Sequence, residues 1–164
     1  MYKNQSTENT EVIVIKILFV CHGNICRSPM AEFIMKKMAE ESGRDDLFIS
    51  SAATSTEEIW NGIGNPIYPP AQEILRRKGI PFDAHRAVQM TRSDYDQYDR
   101  IIAMDRYNVR NILRITYGDP DHKICRLLEY CGLDRDVADP WYSGDFETAF
   151  RDIYMGCEAL IGSC

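Results

Sequence analysis

Apolar residues recur along the chain with two different periods, and the change of period separates predicted strands from predicted helices. Residues 12–20 form an almost unbroken run of apolar, largely β-branched side chains, which is typical of a strand buried on both faces of a parallel sheet. From Met30 the apolar positions instead recur every three or four residues, as at Phe33 and Ile34, which predicts an amphipathic helix. Pro29 suits the first turn of that helix, where a backbone N–H has no partner within the helix.

The same alternation of strand and helix continues to the end of the chain. Glycine and proline clusters predict a loop at 55–70, and polar residues predict a second long loop at 134–145. Strands that alternate with helices indicate βαβ units and a parallel sheet. The predicted fold class is therefore α/β: a single-domain three-layer sandwich, with a four-stranded parallel sheet and helices on both faces. After the first strand and helix, it contains predicted strands at 46–51, 100–104 and 124–128 and predicted helices at 71–78, 107–116 and 146–161.

Length and composition fit one globular domain. The chain has 164 residues, of which 45% are hydrophobic and 27% charged, and a domain of this size buries enough surface to fold without disulfides or a metal. The polar residues 1–11 predict a flexible N-terminal tail, and 12–164 are predicted to form the domain. The longest apolar runs fall well short of the ~20 residues that a membrane-spanning helix needs, so no membrane partner is expected.

Charge and cysteine content narrow the partners and the compartment. The net charge is −6, from 25 acidic and 19 basic residues, whereas nucleic-acid binding usually leaves a basic surface. Residues 1–11 have no apolar core of a secretory signal, so we expect a cytoplasmic protein whose six cysteines are free thiols. No extended apolar seam demands a second subunit, and a monomer is predicted.

The candidate chemistry follows the first strand, because ligands of an open parallel sheet bind beyond the carboxyl ends of its strands. The segment there reads Cys21-His22-Gly23-Asn24-Ile25-Cys26-Arg27-Ser28 and runs directly into a helix. A loop wound around a helix N-terminus presents backbone N–H groups to a tetrahedral oxyanion, and the helix dipole adds positive charge. The spacing of a cysteine and an arginine six residues apart is weak alone, since the chain has six cysteines. Its position between a buried strand and a helix makes it informative.

Each residue type in this loop has a chemical reason. Gly23 and Asn24 tolerate the positive φ angles that such a loop requires. Arg27 offers a planar pair of N–H groups to two phosphate oxygens. A helix N-terminus and a neighbouring guanidinium favour the thiolate form of a cysteine, so Cys21 is predicted to be a nucleophile rather than a packed structural cysteine. The Ser28 hydroxyl can donate a hydrogen bond to that thiolate.

The segment Cys21 to Pro29, followed by Met30-Ala31-Glu32, resembles the signature loop of low-molecular-weight protein tyrosine phosphatases. Residues 51–55 resemble the second-strand segment of that family, 104–108 the segment after its third strand, and 139–142 its general-acid loop. The four matches occur in the family's order and span nearly the whole chain after residue 12. The resemblance implies hydrolysis of phosphotyrosine, and of small aryl phosphates, through a cysteinyl-phosphate intermediate without cofactor or metal.

The resemblance also implies a role for individual residues. Cys21 would attack phosphorus, Arg27 and the loop amides would stabilise the transition state, and Asp139 would act as general acid and then general base. The Asp-Pro-aromatic-aromatic string selects Asp139 among the aspartates of its loop, since spacing alone would not. Ser51 would support the loop. The residues expected to surround the phosphate, or another oxyanion such as inorganic phosphate, are His22, Gly23, Asn24, Ile25, Cys26 and Ser28.

Aromatic residues beside the general acid are expected to wall a slot for the aryl leaving group. Trp141 and Tyr142 are candidates for one wall and Trp60 for the opposite wall. Glu57 stands where animal members often carry an aromatic residue, so the rim departs from the animal pattern there. Cys26 has two readings: a small packed residue, or a thiol that forms a disulfide with Cys21 on oxidation and protects it.

Three other functions are consistent with parts of the sequence. Arsenate reductases of the same fold use a redox cysteine pair, which Cys125 and Cys131 offer superficially, although that family's pair lies nearer the third strand. Phosphoarginine phosphatases are similar throughout but carry threonine in place of Ile25, and a branched aliphatic residue suits an aryl ring. A silent phosphoprotein-binding module would lack the nucleophile, the guanidinium or the acid. We therefore expect phosphotyrosine-containing proteins as partners.

Overall fold

Four parallel strands form the central sheet of the computed structural model, which describes residues 13–164. Strand β1 (Ile15–Cys21) lies between β2 (Leu47–Ala53) and β5 (Arg100–Ala103), and β6 (Ile124–Arg126) completes the order β2-β1-β5-β6. All three neighbouring pairs are parallel, so their carboxyl ends share one edge. The carboxyl end of β1 is therefore flanked by strands on both sides.

The helices cover both faces of this sheet, because the side chains of β1 alternate between them. Ile17 and Phe19 pack against helices on one face, and Leu18 and Val20 belong to a second apolar cluster with Ile112 on the other. The predicted α/β architecture with three layers is therefore confirmed. The helices are α1 (Arg27–Glu41), α2 (Pro69–Arg77), α3 (Asp94–Gln97), α4 (Arg106–Thr116), α5 (Pro140–Ser143) and α6 (Phe146–Ser163), with a 3₁₀ turn at Leu127–Cys131.

The structure departs from the predicted elements mainly in short segments. The predicted loop 55–70 contains a hairpin of two-residue strands, β3 (Ile59–Trp60) and β4 (Ile63–Gly64), and the predicted loop 134–145 contains α5. The predicted strand 124–128 ends at Arg126 and continues as the 3₁₀ turn. Helix α3 was missed altogether. Elements of two to four residues are too short for hydrophobic periodicity to show.

The hairpin packs closely against residues 85–88. A Cβ atom on Gly64 would lie only 1.9 Å from the carbonyl oxygen of Ala87, so only glycine allows this approach. The Ala87 N–H donates to the carbonyl of Asn65 at 3.0 Å, and Arg86 donates to the carbonyl of Gly64 at 3.1 Å. The hairpin and the segment 85–88 therefore form one unit beside the sheet edge.

Two sequence predictions concern the ends and the surroundings of this domain. The predicted tail 1–11 lies outside the described residues, and the domain boundary at residue 12 stays a prediction. Within residues 13–164, every helix is too short or too polar to cross a membrane.

Candidate active site

Cys21 ends β1 at the floor of a pocket, and the loop that follows it turns directly into α1. The thiol is almost fully buried, and its Sγ lies 3.0 Å from the Ser28 hydroxyl oxygen. The backbone N–H of Asn24 points back to the same Sγ at 3.3 Å. Asn24 has a φ of +61°, as predicted, and this turn directs its amide toward the sulfur. The sulfur thus receives hydrogen bonds while it faces the pocket.

Gly23 does not adopt the positive φ angle that the sequence predicted, because Asn24 alone makes the left-handed turn among residues 22–26. Its small size is used in another way. A Cβ atom on Gly23 would lie 3.1 Å from Cγ of Glu58, which is closer than ordinary van der Waals contact. The absence of a side chain lets Glu58 pack against the loop.

The fully buried Asn24 side chain braces the loop from below. Its Nδ2 donates to the hydroxyls of Ser28 (2.8 Å) and Ser51 (2.9 Å), and its Oδ1 accepts from the N–H of Val88 at 3.1 Å. Ser51 in turn donates to Oε1 of buried Glu32 at 2.6 Å. The structure therefore places Ser51 behind the loop, as predicted, and adds Glu32 behind Ser51.

These contacts determine which way the Ser28 proton points. A carboxylate only accepts hydrogen bonds and an amide nitrogen only donates them, so Ser51 donates to Glu32 and accepts from Asn24. Ser28 also accepts from Asn24, and its own proton is then directed to the Cys21 sulfur 3.0 Å away. The network therefore supplies a donor that stabilises negative charge on the sulfur.

Arg27 lies beside the loop with its guanidinium 3% exposed. Its Nη1 contacts Oδ2 of Asp105 and the carbonyl of Val137, both at 2.8 Å, and its Nη2 lies 3.4 Å from Oδ2 of Asp139. Although burial alone would lower it, the pKa of Arg27 is raised, because Cys21, Asp105 and Asp139 surround it with negative charge. The guanidinium therefore stays charged at any working pH.

Asp139 also lines the pocket, from the N-terminus of α5. Its Oδ1 accepts from the N–H of Trp141 at 3.0 Å, which caps the short helix. The other aspartates of this segment bond elsewhere: Asp134 and Asp136 contact Arg126, and Asp145 caps α6 through Thr148. Of these four aspartates only Asp139 lines the pocket over Cys21.

The rim of the pocket combines acidic and aromatic residues. Glu57 and Glu58 come from the segment just before β3, and Trp141 and Tyr142 from α5, which Asp139 caps. His22 also lines the pocket, and its Nε2 lies 2.9 Å from a carboxylate oxygen of Glu57, with both side chains exposed. The floor and inner walls consist of Cys21, Gly23, Asn24, Ile25, Cys26 and Arg27.

Trp60 is not brought to this rim, which corrects the prediction of an aromatic wall there. Its side chain is 79% exposed, and within residues 13–164 the lining includes its neighbours Glu57 and Glu58 instead. Successive side chains of a strand point to opposite faces. Ile59 packs against the cluster that contains Ile25, so Trp60 points to solvent.

The cysteines differ in their environment. All six, each within the described part of the chain, are free thiols. Cys26 lines the pocket and is buried, and burial together with the negative charge of Cys21 and Asp139 raises its pKa, so it stays protonated near neutral pH. As far as residues 13–164 are concerned, the pocket lining does not include Cys125 or Cys131, and the Cys131 thiol contacts the carbonyl of Met155 on α6.

Sequence reasoning missed three side chains that support the loop. Glu32 lies four residues after Ser28, hence on the same face of α1, and this spacing could have identified it. Asp105 follows β5, whose carboxyl end shares the ligand-binding edge, so its position was also a usable signal. His85, whose Nε2 lies 3.2 Å from the carbonyl of Asn24, comes from an irregular segment that carries no such signal. Among residues 13–164, no cluster of three potential metal ligands forms.

Comparison with known proteins shows that the sequence and the fold of this chain are similar to those of phosphatases. Residues 16–163 match the family model described as low molecular weight phosphotyrosine protein phosphatase. The low molecular weight protein-tyrosine-phosphatase YfkJ of Bacillus subtilis is 42% identical over 152 residues, which cover 92% of this chain and 96% of YfkJ. The crystal structure of YfkJ superposes with a TM-score of 0.85 over 92% of this chain and 94% of that one.

Two further solved structures are similar over most of their length. The low molecular weight protein tyrosine phosphatase SP-PTP from Streptococcus pyogenes has 39% identity and a TM-score of 0.80, with 92% of this chain and 93% of that chain covered. The drosophila arginine phosphatase DARP has 27% identity and a TM-score of 0.80, with 91% and 97% covered. The same fold therefore occurs in a protein named as an arginine phosphatase.

Proposed function

The chain belongs to the low molecular weight phosphotyrosine protein phosphatase family, and we propose that Cys21, Arg27 and Asp139 hydrolyse phosphotyrosine through a cysteinyl-phosphate intermediate. Membership makes the protein a phosphoric monoester hydrolase of the protein-tyrosine-phosphatase class. The observation that carries the proposed mechanism is that Cys21 and Arg27, from one loop, meet Asp139, from a segment more than 110 residues further along the chain, in one pocket. Phosphotyrosine-containing proteins are the proposed substrates, and inorganic phosphate is expected to occupy the loop as product.

In the first step, the Cys21 thiolate attacks phosphorus in line with the bond to the tyrosine oxygen. The new S–P bond forms as that P–O bond breaks, and Asp139 gives its proton to the departing phenolate. In the second step, the Asp139 carboxylate takes a proton from a water molecule that attacks phosphorus. The S–P bond breaks, and inorganic phosphate and the thiolate are released.

The loop lowers the barrier of both steps by stabilising charge at fixed positions. Nη1 of Arg27 already bonds to Val137 and Asp105, so the edge formed by its Nε and Nη2 is assigned to two oxygens of the transferring phosphoryl group. The backbone N–H groups at the start of α1 bind the same oxygens. The Ser28 proton stabilises the sulfur when it departs in the second step.

The surroundings of the loop favour an aryl substrate. Trp141 and Tyr142 stand beside the general acid, where the phenol ring of phosphotyrosine would lie. Ile25 lines the same pocket and presents an apolar side chain packed with Cys26 and Ala87. An apolar contact suits a phenyl ring better than the strongly polar guanidino group of phosphoarginine.

A direct comparison of substrates tests this proposal. Three peptides of one sequence, carrying phosphotyrosine, phosphoarginine or phosphoserine, would be compared by kcat/KM. We expect phosphotyrosine to be preferred by about tenfold to a hundredfold, because the apolar and aromatic lining contacts a phenyl ring and offers little to a guanidino or alkyl group. A preference for phosphoarginine or phosphoserine would overturn the substrate assignment.

The nucleophile is tested in the same assay. Cys21→Ser should abolish turnover but still bind phosphate or vanadate, because the amides and Arg27 remain. Cys125→Ser, a matched change at a cysteine on β6, should retain activity. Substantial turnover by Cys21→Ser would contradict the proposed intermediate. A cytoplasmic location and a monomeric state stay predictions.

A further inference from the structure

The segment 134–139, which carries Asp139 at its end, is held against the sheet by the buried guanidinium of Arg126. Arg126 ends β6 and is 7% exposed. Its Nη1 lies 3.0 Å from Oδ1 of Asp136, and its Nη2 contacts Oδ1 of Asp134. One side chain thus grips two carboxylates, three and five residues before the general acid.

The same segment is joined to the turn after β5 by further contacts. The N–H of Val137 donates to the carbonyl of Met104 at 2.9 Å, and the N–H of Arg106 donates to Oδ1 of Asp136 at 3.1 Å. The Val137 carbonyl accepts from Arg27 at 2.8 Å. The residue gripped by Arg126 is therefore followed directly by one that touches the catalytic guanidinium.

Asp139 has few other means of holding its position. Helix α5 has four residues, far fewer than the ~12–15 at which an isolated helix becomes marginally stable in water. Its contact with Arg27, at 3.4 Å, is long for a hydrogen bond between charged groups. The position of the Asp139 carboxyl group therefore depends on the segment that precedes it.

Because Arg126 is buried, its contacts with Asp134 and Asp136 are hard to replace. A buried guanidinium needs anionic or hydrogen-bonding partners, since an unpaired buried charge is strongly unfavourable. Hydrogen bonds from Arg126 and then Arg106 lower the pKa of Asp134, so this partner remains a carboxylate near neutral pH. Moving the segment away from the sheet would remove both Asp134 and Asp136 and leave Arg126 only the longer contact of its Nε with Glu129, at 3.9 Å.

We propose that Arg126 is a positioning residue for the general acid, holding the 134–139 segment so that Asp139 reaches the leaving-group oxygen. This inference rests on the proposed function of Asp139. It does not extend to Arg27, because Arg27 keeps a second contact with Asp105 at 2.8 Å. Loss of Arg126 should therefore weaken proton donation more than the binding of the phosphoryl group.

The dependence of rate on the leaving group separates these two effects. Protonation matters for phenyl phosphate, whose leaving group is basic, and hardly matters for 2,4-dinitrophenyl phosphate. For Arg126→Met we expect kcat/KM to fall about tenfold on phenyl phosphate and less than about twofold on the dinitrophenyl ester, a partial loss of general-acid catalysis. Equal losses on both esters in folded protein, or no loss on either, would overturn the inference.

Three variants make the result unambiguous. Arg44→Met is the matched control, because Arg44 is also partly buried and pairs with an aspartate, Asp46, at 2.8 Å but lies outside the 134–139 segment, and it should show no leaving-group selectivity. Arg126→Lys should recover part of the loss, since one ammonium cannot grip both carboxylates as a guanidinium does. If Arg126→Met fails to fold, Asp136→Asn should show the same selectivity to a smaller degree, and its absence would overturn the inference.

Asp139→Asn serves as the reference. It should lose about 10²- to 10⁴-fold on phenyl phosphate and little on the dinitrophenyl ester. If its losses are equal on both esters, the general-acid role in the proposed function fails, and this inference with it. If Asp139→Asn is selective and Arg126→Met is not, the positioning role alone is wrong.

Discussion

The hydroxyl of Ser51 donates to the carboxylate of Glu32 at 2.6 Å, inside the protein and behind the loop that holds Cys21. This contact aligns the chain of hydrogen bonds that runs through Asn24 and Ser28 to the sulfur. A buried negative charge on α1 thus orients a proton several groups away. The loop is ordered by these contacts before any substrate arrives, which is how an enzyme avoids reorganisation during the reaction.

Ser51→Ala should weaken this support. The substitution removes an acceptor from the Asn24 amide and a donor from buried Glu32, so we expect the free energy of unfolding to fall by about 1–3 kcal/mol. The Ser28 proton is then free to turn away from Cys21. Loss of that hydrogen bond to the sulfur is also worth about 1–3 kcal/mol, so kcat/KM should fall by about tenfold. Urea denaturation and steady-state kinetics measure the two effects. Ser42→Ala, at the exposed end of α1, should change neither, and unchanged kcat/KM in Ser51→Ala would contradict the argument.

Oxidation tests the second reading of Cys26. Its raised pKa keeps it a thiol beside Cys21, and peroxide converts the Cys21 thiolate to a sulfenic acid. The Cys26 sulfur would then displace hydroxide from that sulfur, which forms a disulfide and one water molecule. We expect activity lost to mild peroxide to return with dithiothreitol.

The matching variants identify the resolving thiol. In Cys26→Ser the same treatment should cause loss that dithiothreitol does not reverse, because the sulfenic acid oxidises further. Cys131→Ser, a cysteine that contacts α6, should behave as the unmodified protein. Equal recovery in Cys26→Ser would leave Cys26 as a packed residue.

The acidic rim should favour phosphotyrosine beside basic residues. Glu57 and Glu58 line the mouth of the pocket, and the chain carries a net charge of −6. Each glutamate can form one weak surface ion pair with a lysine of the substrate. We therefore expect kcat/KM to be about three- to tenfold higher for a phosphotyrosine peptide with flanking lysines than for one with flanking glutamates. The preference should shrink at high ionic strength, because salt screens exposed charges.

Charge-neutral variants locate the source of that preference. Glu57→Gln combined with Glu58→Gln should reduce the ratio of the two rates to about twofold or less, in keeping with the small worth of exposed charge pairs. Glu73→Gln, an exposed glutamate on α2, should leave the ratio as it is. A ratio that survives the double substitution would assign the selectivity to some other part of the surface.

Asp119 should contribute to stability only above acidic pH. Although burial opposes it, hydrogen bonds from Lys123, Tyr95 and Ile124 lower the pKa of Asp119 below its ordinary value of 3.8. A carboxylate with a lowered folded-state pKa stabilises fully above the ordinary value, and that contribution is lost as the pH falls through the lower one. Urea midpoints measured from pH 6 to pH 3 should therefore fall, and fall less steeply in Asp119→Asn. Asp121→Asn, in the same turn, should keep the steeper dependence.

The order of strands and helices could be predicted because burial on both faces leaves a strong mark on the sequence. Residues 12–20 are apolar except for Lys16, and residues 100–104 are apolar after Arg100. The strands β1 and β5, which lie within these runs, are neighbours in one parallel sheet. Arg27 and Ser28 were not predicted to belong to α1, because they are polar and yet buried beside the pocket. Hydrophobic patterning does not detect polar residues that are buried for chemistry.

The loop residues were predictable because they are consecutive, whereas their supports come from distant segments. The contact between Asn24 and Val88 spans 64 residues and that between Arg27 and Val137 spans 110. Backbone groups of this kind carry no side-chain signal at all. The orientation of Trp60 was missed for a related reason, because it depends on the register of a hairpin of two-residue strands.

The contact between Gly64 and Ala87 connects the rim of the pocket with the hydrogen bonds that support the loop from below. Val88, one residue further on, donates its N–H to the Asn24 side chain. Glu58 lies at the same end of the hairpin as Gly64, next to the Ile59–Gly64 pair, and its carboxylate accepts a hydrogen bond from Asn65. Rim residues such as Glu58 can therefore be exchanged during evolution, and substrate preference can change with them. Position 64 must remain glycine for this to happen. A larger residue at position 64 would push the β3–β4 hairpin away from Ala87. The same shift would weaken the hydrogen bond between Val88 and Asn24.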